Sequence, residues 1–255
     1  MNPLHEANRL RWQAASDQWA RGGDKRGDWK PAFTNPAIVF LKEELSILGD
    51  VRNKNVCVLG SGNNEAVFAL AGMGANVTSV DISQKQLDHA RRRAKELGAA
   101  IAFVCSDVTN LQALSDRSFD IVYTGGHVAV WVSDLKKYYA EASRILRPGG
   151  LFLINEYHPF RRLWKDNTPK LEMNVGYFER GPHVFDYSSD ILNPQPGEHR
   201  CYEFHWTVSD FVTAAMEPGN ELLTLQEIGD AHEGWEQIPS AGLPQCLLIA
   251  LRKRG

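Results

Sequence analysis

VCVLGSGNNEAVFALAGMGANVTSVD, residues 56–81, decides how the rest of the chain is read. Residues 55–59 form a short apolar strand, Gly60-Ser61-Gly62 turns it, residues 65–71 read as a helix, and residues 76–80 make a second strand closed by Asp81. Glycines after a strand let the backbone turn tightly and bring N–H groups and the next helix N-terminus close to a ligand. The third position of the G-x-G-x-x-G pattern is Glu65. Its side chain opposes the close helix–strand approach of a dinucleotide site and puts negative charge beside a pyrophosphate. No Gly-Lys-Ser/Thr follows, so the phosphate-cradling Walker pattern is absent as well. A cofactor without phosphates suits this loop better.

Outward from the loop the chain alternates strands and helices. Ser83 reads as the N-cap of a helix with Gln86 in a capping box and Gly98 as its stop. Leu87, Ala90, Ala94 and Leu97 give that helix one apolar stripe, and the Arg91-Arg92-Arg93 run reads mostly as its solvated face. Residues 101–105 and 119–124 are further strands, Ser133 is expected to cap another helix, and Arg147–Gly150 is a turn into a strand over 151–155. Short apolar strands separated by helices imply a mostly parallel sheet covered on both faces. Residues 209–216 read as a last helix, and residues 222–228 and 245–251 as two strands that can pair antiparallel across HEGWEQIPSAGLP. On the N-terminal side, residues 6–19 and 37–48 read as helices flanking a glycine-rich, charged RGGDKRGDWKP stretch.

Composition sets bounds. The 255 residues are 43% hydrophobic and 23% charged with a formal net charge of -3, as for an ordinary globule. That balance offers no footprint for nucleic acid. No run of about 18 apolar residues reads as a membrane span. The N-terminus has no signal-peptide core, and Cys57, Cys105, Cys201 and Cys246 lack the spacing of a disulfide framework or zinc knuckle. The expectation is one cytoplasmic domain over 1–255 with reduced thiols and no metal; oligomeric state is not legible.

The acids at strand ends agree with the loop. Asp81 closes the second strand, where a carboxylate accepts hydrogen bonds from ribose hydroxyls; Asp107 follows the third, placed to pair with an adenine amino group, with Val108 flanking the ring. Gly125-Gly126 follows the fourth strand. With these signals in register, VCVLGSGNN, SVDIS, CSDVTNL, FDIVYTGG and RILRPGGLFLINEYHP make the chain resemble the class I S-adenosylmethionine-dependent methyltransferases, of the small-molecule type related to ubiquinone and menaquinone biosynthesis. The resemblance covers roughly residues 50–155. It implies an α/β, Rossmann-like methyltransferase fold: a seven-stranded, mostly parallel sheet of order 3-2-1-4-5-7-6 with helices on both faces. It implies S-adenosyl-L-methionine as cofactor, held by Gly60, Ser61, Gly62, Asn63, Asp81, Ile82, Asp107, Val108 and Gly125, and a small-molecule methyl acceptor with an oxygen, nitrogen or carbon nucleophile. The family usually carries an acid and a third glycine where this chain has Val58 and Asn64, and Asn63 or Asn64 is a candidate for the missing polar contact.

Methyl transfer needs an in-line nucleophile and a closed pocket, and sometimes a base. His127, after the fourth strand, is the first candidate base, with pocket lining as its alternative. His158 of EYHP is the second, and Glu156 beside it could steer a cationic amine. His183, His199 and His205 show no compact metal-ligand spacing. Trp131, Tyr177, Phe178 and Trp206 could line an aromatic cavity for a planar or cationic acceptor, or be core. The N-terminal arm (residues 1–35, with Trp12, Trp19 and Trp29) and an insertion over 156–206 are expected to form a lid and the substrate site. Two other classes remain open: a nicotinamide-dependent oxidoreductase, and a noncatalytic binding protein on a degenerate methyltransferase fold.

Overall fold

Strands without polar alternation can bury both faces only at the middle of a sheet, and β1 (Asn55–Leu59) does so. Its Val56 and Val58 pack against one helical layer while Cys57 and Leu59 pack against the other. The computed structural model describes residues 1–165, 168–185, 200–229 and 242–255. In chain order the elements are α1 (Pro3–Arg26), α2 (Trp29–Ala32), α3 (Lys42–Leu48), β1, α4 (Glu65–Gly72), β2 (Asn76–Asp81), α5 (Gln84–Leu97), β3 (Ile101–Cys105), β4 (Phe119–Thr124), α6 (Leu135–Ile145), β5 (Leu146–Tyr157), β6 (His183–Phe185), β7 (Cys201–Glu203), α7 (Val208–Met216), β8 (Asn220–Gly229) and β9 (Pro244–Lys253).

The main sheet has the order β3-β2-β1-β4-β5-β9-β8, and β6 pairs with β7 in a separate ribbon. Counting only main-sheet strands, this is 3-2-1-4-5-7-6, the order expected. β3 through β5 run parallel, whereas β9 pairs antiparallel with both β5 and β8. The β8–β9 pairing is as read from sequence; most of the connection between them, residues 230–241, lies outside the described residues, as do Tyr187 and His199. Among the described residues no helix is long and apolar enough to cross a membrane.

Four local expectations are corrected. The first helix runs from Pro3 to Arg26, continuing through the Gly22-Gly23 pair, and stops at Gly27 in the left-handed region. The helix expected over 37–48 is two pieces, a 3-10 turn at Pro36–Ile38 and α3, because Phe40 leaves the helical path to bury its ring edge-on to Tyr123 at 5.5 Å. The Arg147–Gly150 turn lies inside β5, where the β4–β5 register shifts between Phe119 and Ile121. Asp134, not Ser133, caps α6, accepting the Lys137 N–H at 2.9 Å.

Candidate active site

The strand order lines up five chain segments along the carboxyl edge of the sheet: Asp107 after β3, Asp81 at the end of β2, Gly60 after β1, His127 after β4 and Tyr157 at the end of β5. Adjacent strands stand about 4.8 Å apart, so this row extends roughly 19 Å. A cavity of about 440 Å³ runs along it beneath α1. Gly60, Ser61, Gly62, Asn63, Asp81, Ile82, Asp107, Val108 and Gly125 all border this one cavity, together with His127. His158 does not.

The loop after β1 is shaped by packing as much as by dihedral freedom. Gly60 has φ +61°, and a β-carbon there would overlap the Val128 side chain. Ser61 Oγ meets Ser79 Oγ at 2.6 Å, and the Gly62 N–H donates to Asp81 Oδ2 at 2.8 Å. The other Asp81 oxygen accepts the Ser83 N–H at 2.7 Å. Burial pushes the Asp81 carboxyl up to about 6, against the lowering effect of these two N–H donors. Each oxygen keeps a further lone pair for a ligand hydroxyl.

A brace outside the loop holds Asn63, next to the position where the family usually carries its third glycine. Asn63 Nδ2 donates to Gln86 Oε1 at 2.6 Å, so Gln86 serves the loop and not the expected capping box. Arg93, expected on the solvated face, is fully buried. Its guanidinium donates to Asn63 O (2.7 Å), Asn63 Oδ1 (3.0 Å), Ala20 O (3.0 Å) and Asp24 Oδ1 (3.1 Å), tying α5 to both the loop and α1. α1 can approach this closely because residue 23 is glycine; a β-carbon there would lie 2.6 Å from Arg93 Nη2. Asn64 takes the N-cap of α4, its Oδ1 accepting the Ala66 N–H at 3.2 Å.

α1 roofs the cavity with a stripe that is polar and aromatic, not aliphatic: His5, Asn8, Trp12 and Trp19 all face it. His5 Nδ1 contacts Asp107 Oδ2 at 2.7 Å, while Asp107 Oδ1 accepts both the N–H and the hydroxyl of Thr109. Burial pushes the Asp107 carboxyl up, but the His5 and Thr109 bonds outweigh it and the group sits below its ordinary value. Asn8 bonds the Tyr202 backbone in both directions (2.9 and 2.7 Å) and reaches Trp131 O at 3.0 Å, joining the arm to β7 of the insertion. Trp12 stands edge-on to Trp19 at 5.9 Å and to Trp131 at 5.5 Å. Trp29, by contrast, is core against Phe68.

At the β4–β5 end, His127 (φ +55°) stacks on Tyr157 with 3.3 Å between ring centroids and 12° between planes. Arg161 lies 3.8 Å from the same ring centroid, which places it on the opposite face. Arg162 also borders the cavity, 3.4 Å from Glu203. Glu156 does not steer a ligand: it is buried, its Oε1 accepts the Ala129 N–H at 3.1 Å, and burial pushes its carboxyl up to about 8. Its bond to the Ala129 N–H holds the segment that follows His127. His158, the second candidate base, is spent on structure: Nδ1 accepts the Phe160 N–H at 3.2 Å and Nε2 meets Glu227 at 2.7 Å. Trp206 bonds Ala129 O at 3.0 Å, Tyr177 packs on Phe160 and Phe178 is exposed, so of the four aromatics proposed for the cavity only Trp131 borders it.

Sequence reading missed His5, Asn8, Val39 and Arg162 as cavity residues. The recurrence of His5, Asn8, Trp12 and Trp19 on one helical face was the available signal, but a polar stripe does not register as amphipathic.

The carboxylates at Asp81 and Asp107 suit hydroxyl and amino donors, and with the loop geometry they fit a nucleoside that brings no phosphate. Comparison with known proteins agrees. The family model described as a methyltransferase domain matches residues 57–154. The ubiquinone biosynthesis O-methyltransferase of Chromobacterium violaceum is 31% identical over 164 residues, covering 64% of this chain and 68% of that protein. Its counterpart from Idiomarina loihiensis is 27% identical over 175 residues, 68% of this chain and 69% of that one. The crystal structure of an S-adenosylmethionine-dependent methyltransferase from Mesorhizobium loti superposes with a TM-score of 0.61 at 22% identity, covering 82% of this chain and 94% of that one, a likeness of fold. The oxidoreductase and noncatalytic readings give way, and the chain belongs to the class I S-adenosylmethionine-dependent methyltransferases, acting on a small-molecule nucleophile.

Proposed function

We propose that this chain methylates a hydroxyl oxygen of a planar, largely apolar small molecule held at the β4–β5 end of the cavity. The observation that carries the reading is the row itself: Asp107, Asp81 and Gly60 border one end of a continuous cavity, and His127 stacked on Tyr157 borders the other. Asp81 holds the ribose hydroxyls, Asp107 the adenine amino group, and Ile82 and Val108 the faces of the base. Ser61, Asn63 and the loop N–H groups meet the amino-acid portion. The preference for an oxygen acceptor is supported by the O-methyltransferase names of both relatives.

When bound, S-adenosylmethionine supplies a methyl group made electrophilic by its sulfonium. The chain supplies position, dryness and a proton acceptor. Trp12 and Trp131, which both border the cavity, supply the aromatic wall for a planar acceptor, while Tyr157, covered by His127 on one face and Arg161 on the other, holds the His127 ring in place. α1 and β7, joined through Asn8, act as the roof that excludes water. His127 receives the proton from the acceptor hydroxyl, and Glu156 keeps the segment after His127 in place.

Calorimetric titration tests the cofactor reading: S-adenosylhomocysteine binds saturably and NAD gives no heat. Tight NAD binding with no response to S-adenosylhomocysteine overturns it. The base assignment has its own expected result. His127→Ala lowers the methyl-transfer rate by about 100-fold with cofactor affinity nearly unchanged, and His127→Asn does not restore it. Near-normal turnover in both variants makes His127 a wall residue only.

A further inference from the structure

His5 reaches the site from the first turn of α1, yet it is as buried as the core, 3% exposed, and its ring lies between two loops of the cofactor cavity. The proton positions on this ring are fixed by its partners. The Ser133 N–H can only donate, and it points at Nε2 at 2.9 Å. The Ser133 hydroxyl is also 2.9 Å from Nε2, and its oxygen accepts from Asn2 Nδ2 at 2.8 Å. Nε2 is therefore the acceptor, and the proton resides on Nδ1, which donates to Asp107 Oδ2 at 2.7 Å. This arrangement also explains why Ser133 does not cap α6.

The consequence falls on Asp107. Its Oδ1 already accepts two donors, the Thr109 N–H at 2.9 Å and the Thr109 hydroxyl at 2.8 Å. Its Oδ2 accepts one, from His5, and keeps one lone pair on a carboxylate that borders the cavity. Three donors aimed at one carboxylate hold its plane and favour its ionised form. Such a group can take a hydrogen bond but cannot give one.

We propose that His5 is a specificity-determining residue for the base of the cofactor, acting through Asp107: it makes that carboxylate a committed acceptor, so the site takes a purine with an exocyclic amino donor and rejects one with a carbonyl in that place. This rests on the reading that Asp107 faces the adenine amino group. A hypoxanthine oxygen would set its lone pairs against those of Oδ2, the unpaired arrangement that gives polar sites their strongest discrimination. Without His5 the carboxylate is free to turn or to take up a proton and donate.

The test compares S-adenosylhomocysteine with its deaminated analogue, S-inosylhomocysteine, by calorimetry on the full chain. The unaltered chain prefers the adenine ligand by about 100-fold or more. His5→Ala weakens S-adenosylhomocysteine by about tenfold and leaves the inosine analogue nearly unchanged, so the preference falls by the same factor of about ten. His5→Asn, whose amide offers a donor near the position of Nδ1, keeps the preference. A purely structural latch predicts something else: His5→Ala weakens both ligands by the same factor. That result overturns the proposal, as does an unchanged preference in His5→Ala, or its loss in a folded His5→Asn if His5→Ala does not fold. If the unaltered chain binds neither ligand, the cofactor reading fails and this one with it; equal losses in the variant overturn the specificity role alone.

Discussion

Replacing Arg93 with methionine lowers the unfolding free energy by about 3–5 kcal/mol, the usual cost of removing one partner from a buried charged network. The guanidinium holds two backbone carbonyls, Asn63 Oδ1 and Asp24. Methionine fills much of the space but leaves three buried acceptors without their donor, each costing on the order of 1–3 kcal/mol before water relieves part of it. Asp24 is partly exposed and recovers solvent. For a domain of this size the midpoint of thermal unfolding falls by about 10 °C. Arg93→Lys recovers only part of it, because one ammonium cannot reach four acceptors spread around a planar fork. A loss below about 1 kcal/mol for Arg93→Met in urea unfolding would remove the brace from the account.

Asp81→Ala weakens S-adenosylhomocysteine binding by about 2–4 kcal/mol, roughly 30- to 1,000-fold, if the carboxylate makes charge-assisted bonds to the ribose. The pH dependence gives the assignment a second readout. Burial holds the ligand-free carboxyl at about 6. Hydroxyl donors favour its ionised form, so ligand binding lowers that value and affinity rises with pH through about 6, levelling above it. Asp81→Ala removes this step. Circular dichroism confirms that the variant is folded, since the Gly62 and Ser83 N–H groups lose their acceptor as well. A folded variant with an unchanged dissociation constant, or one that retains the pH step, rules out the ribose role.

The parts legible in the sequence were those written in short, local patterns. Apolar strands with glycine or acid at their ends gave a mostly parallel sheet, the family resemblance they carry supplied its order, and the nine residues it implied at the strand ends all border one cavity. The rest depended on contacts far apart in the chain. Arg93 looked solvated because two arginines beside it are; its acceptors lie 30 and about 70 residues away, and no helical pattern encodes them. His158 and Glu156 sat beside the right strand end but pointed into the protein, a distinction set by strand pairing with β9 and by the contact with Glu227 on β8. His5 was hidden for a different reason: a helix that buries histidine, asparagine and arginine has no apolar face to find.

The brace on the glycine loop also bears on how this domain recombines. In a loop ordered by an acid on its own strand, the determinants travel together in about ten consecutive residues. Here Val58 holds that place, and order comes from Gln86 and Arg93 on α5, with Arg93 in turn satisfied by Ala20 and Asp24 on α1. Residues 60–64 moved alone into another scaffold would arrive without support, and a foreign α1 laid over this α5 would leave a buried cation facing the wrong backbone. The structural unit is thus discontinuous in sequence: α1, the loop after β1 and α5 are tied through Arg93 and Gln86 and belong to one packing arrangement.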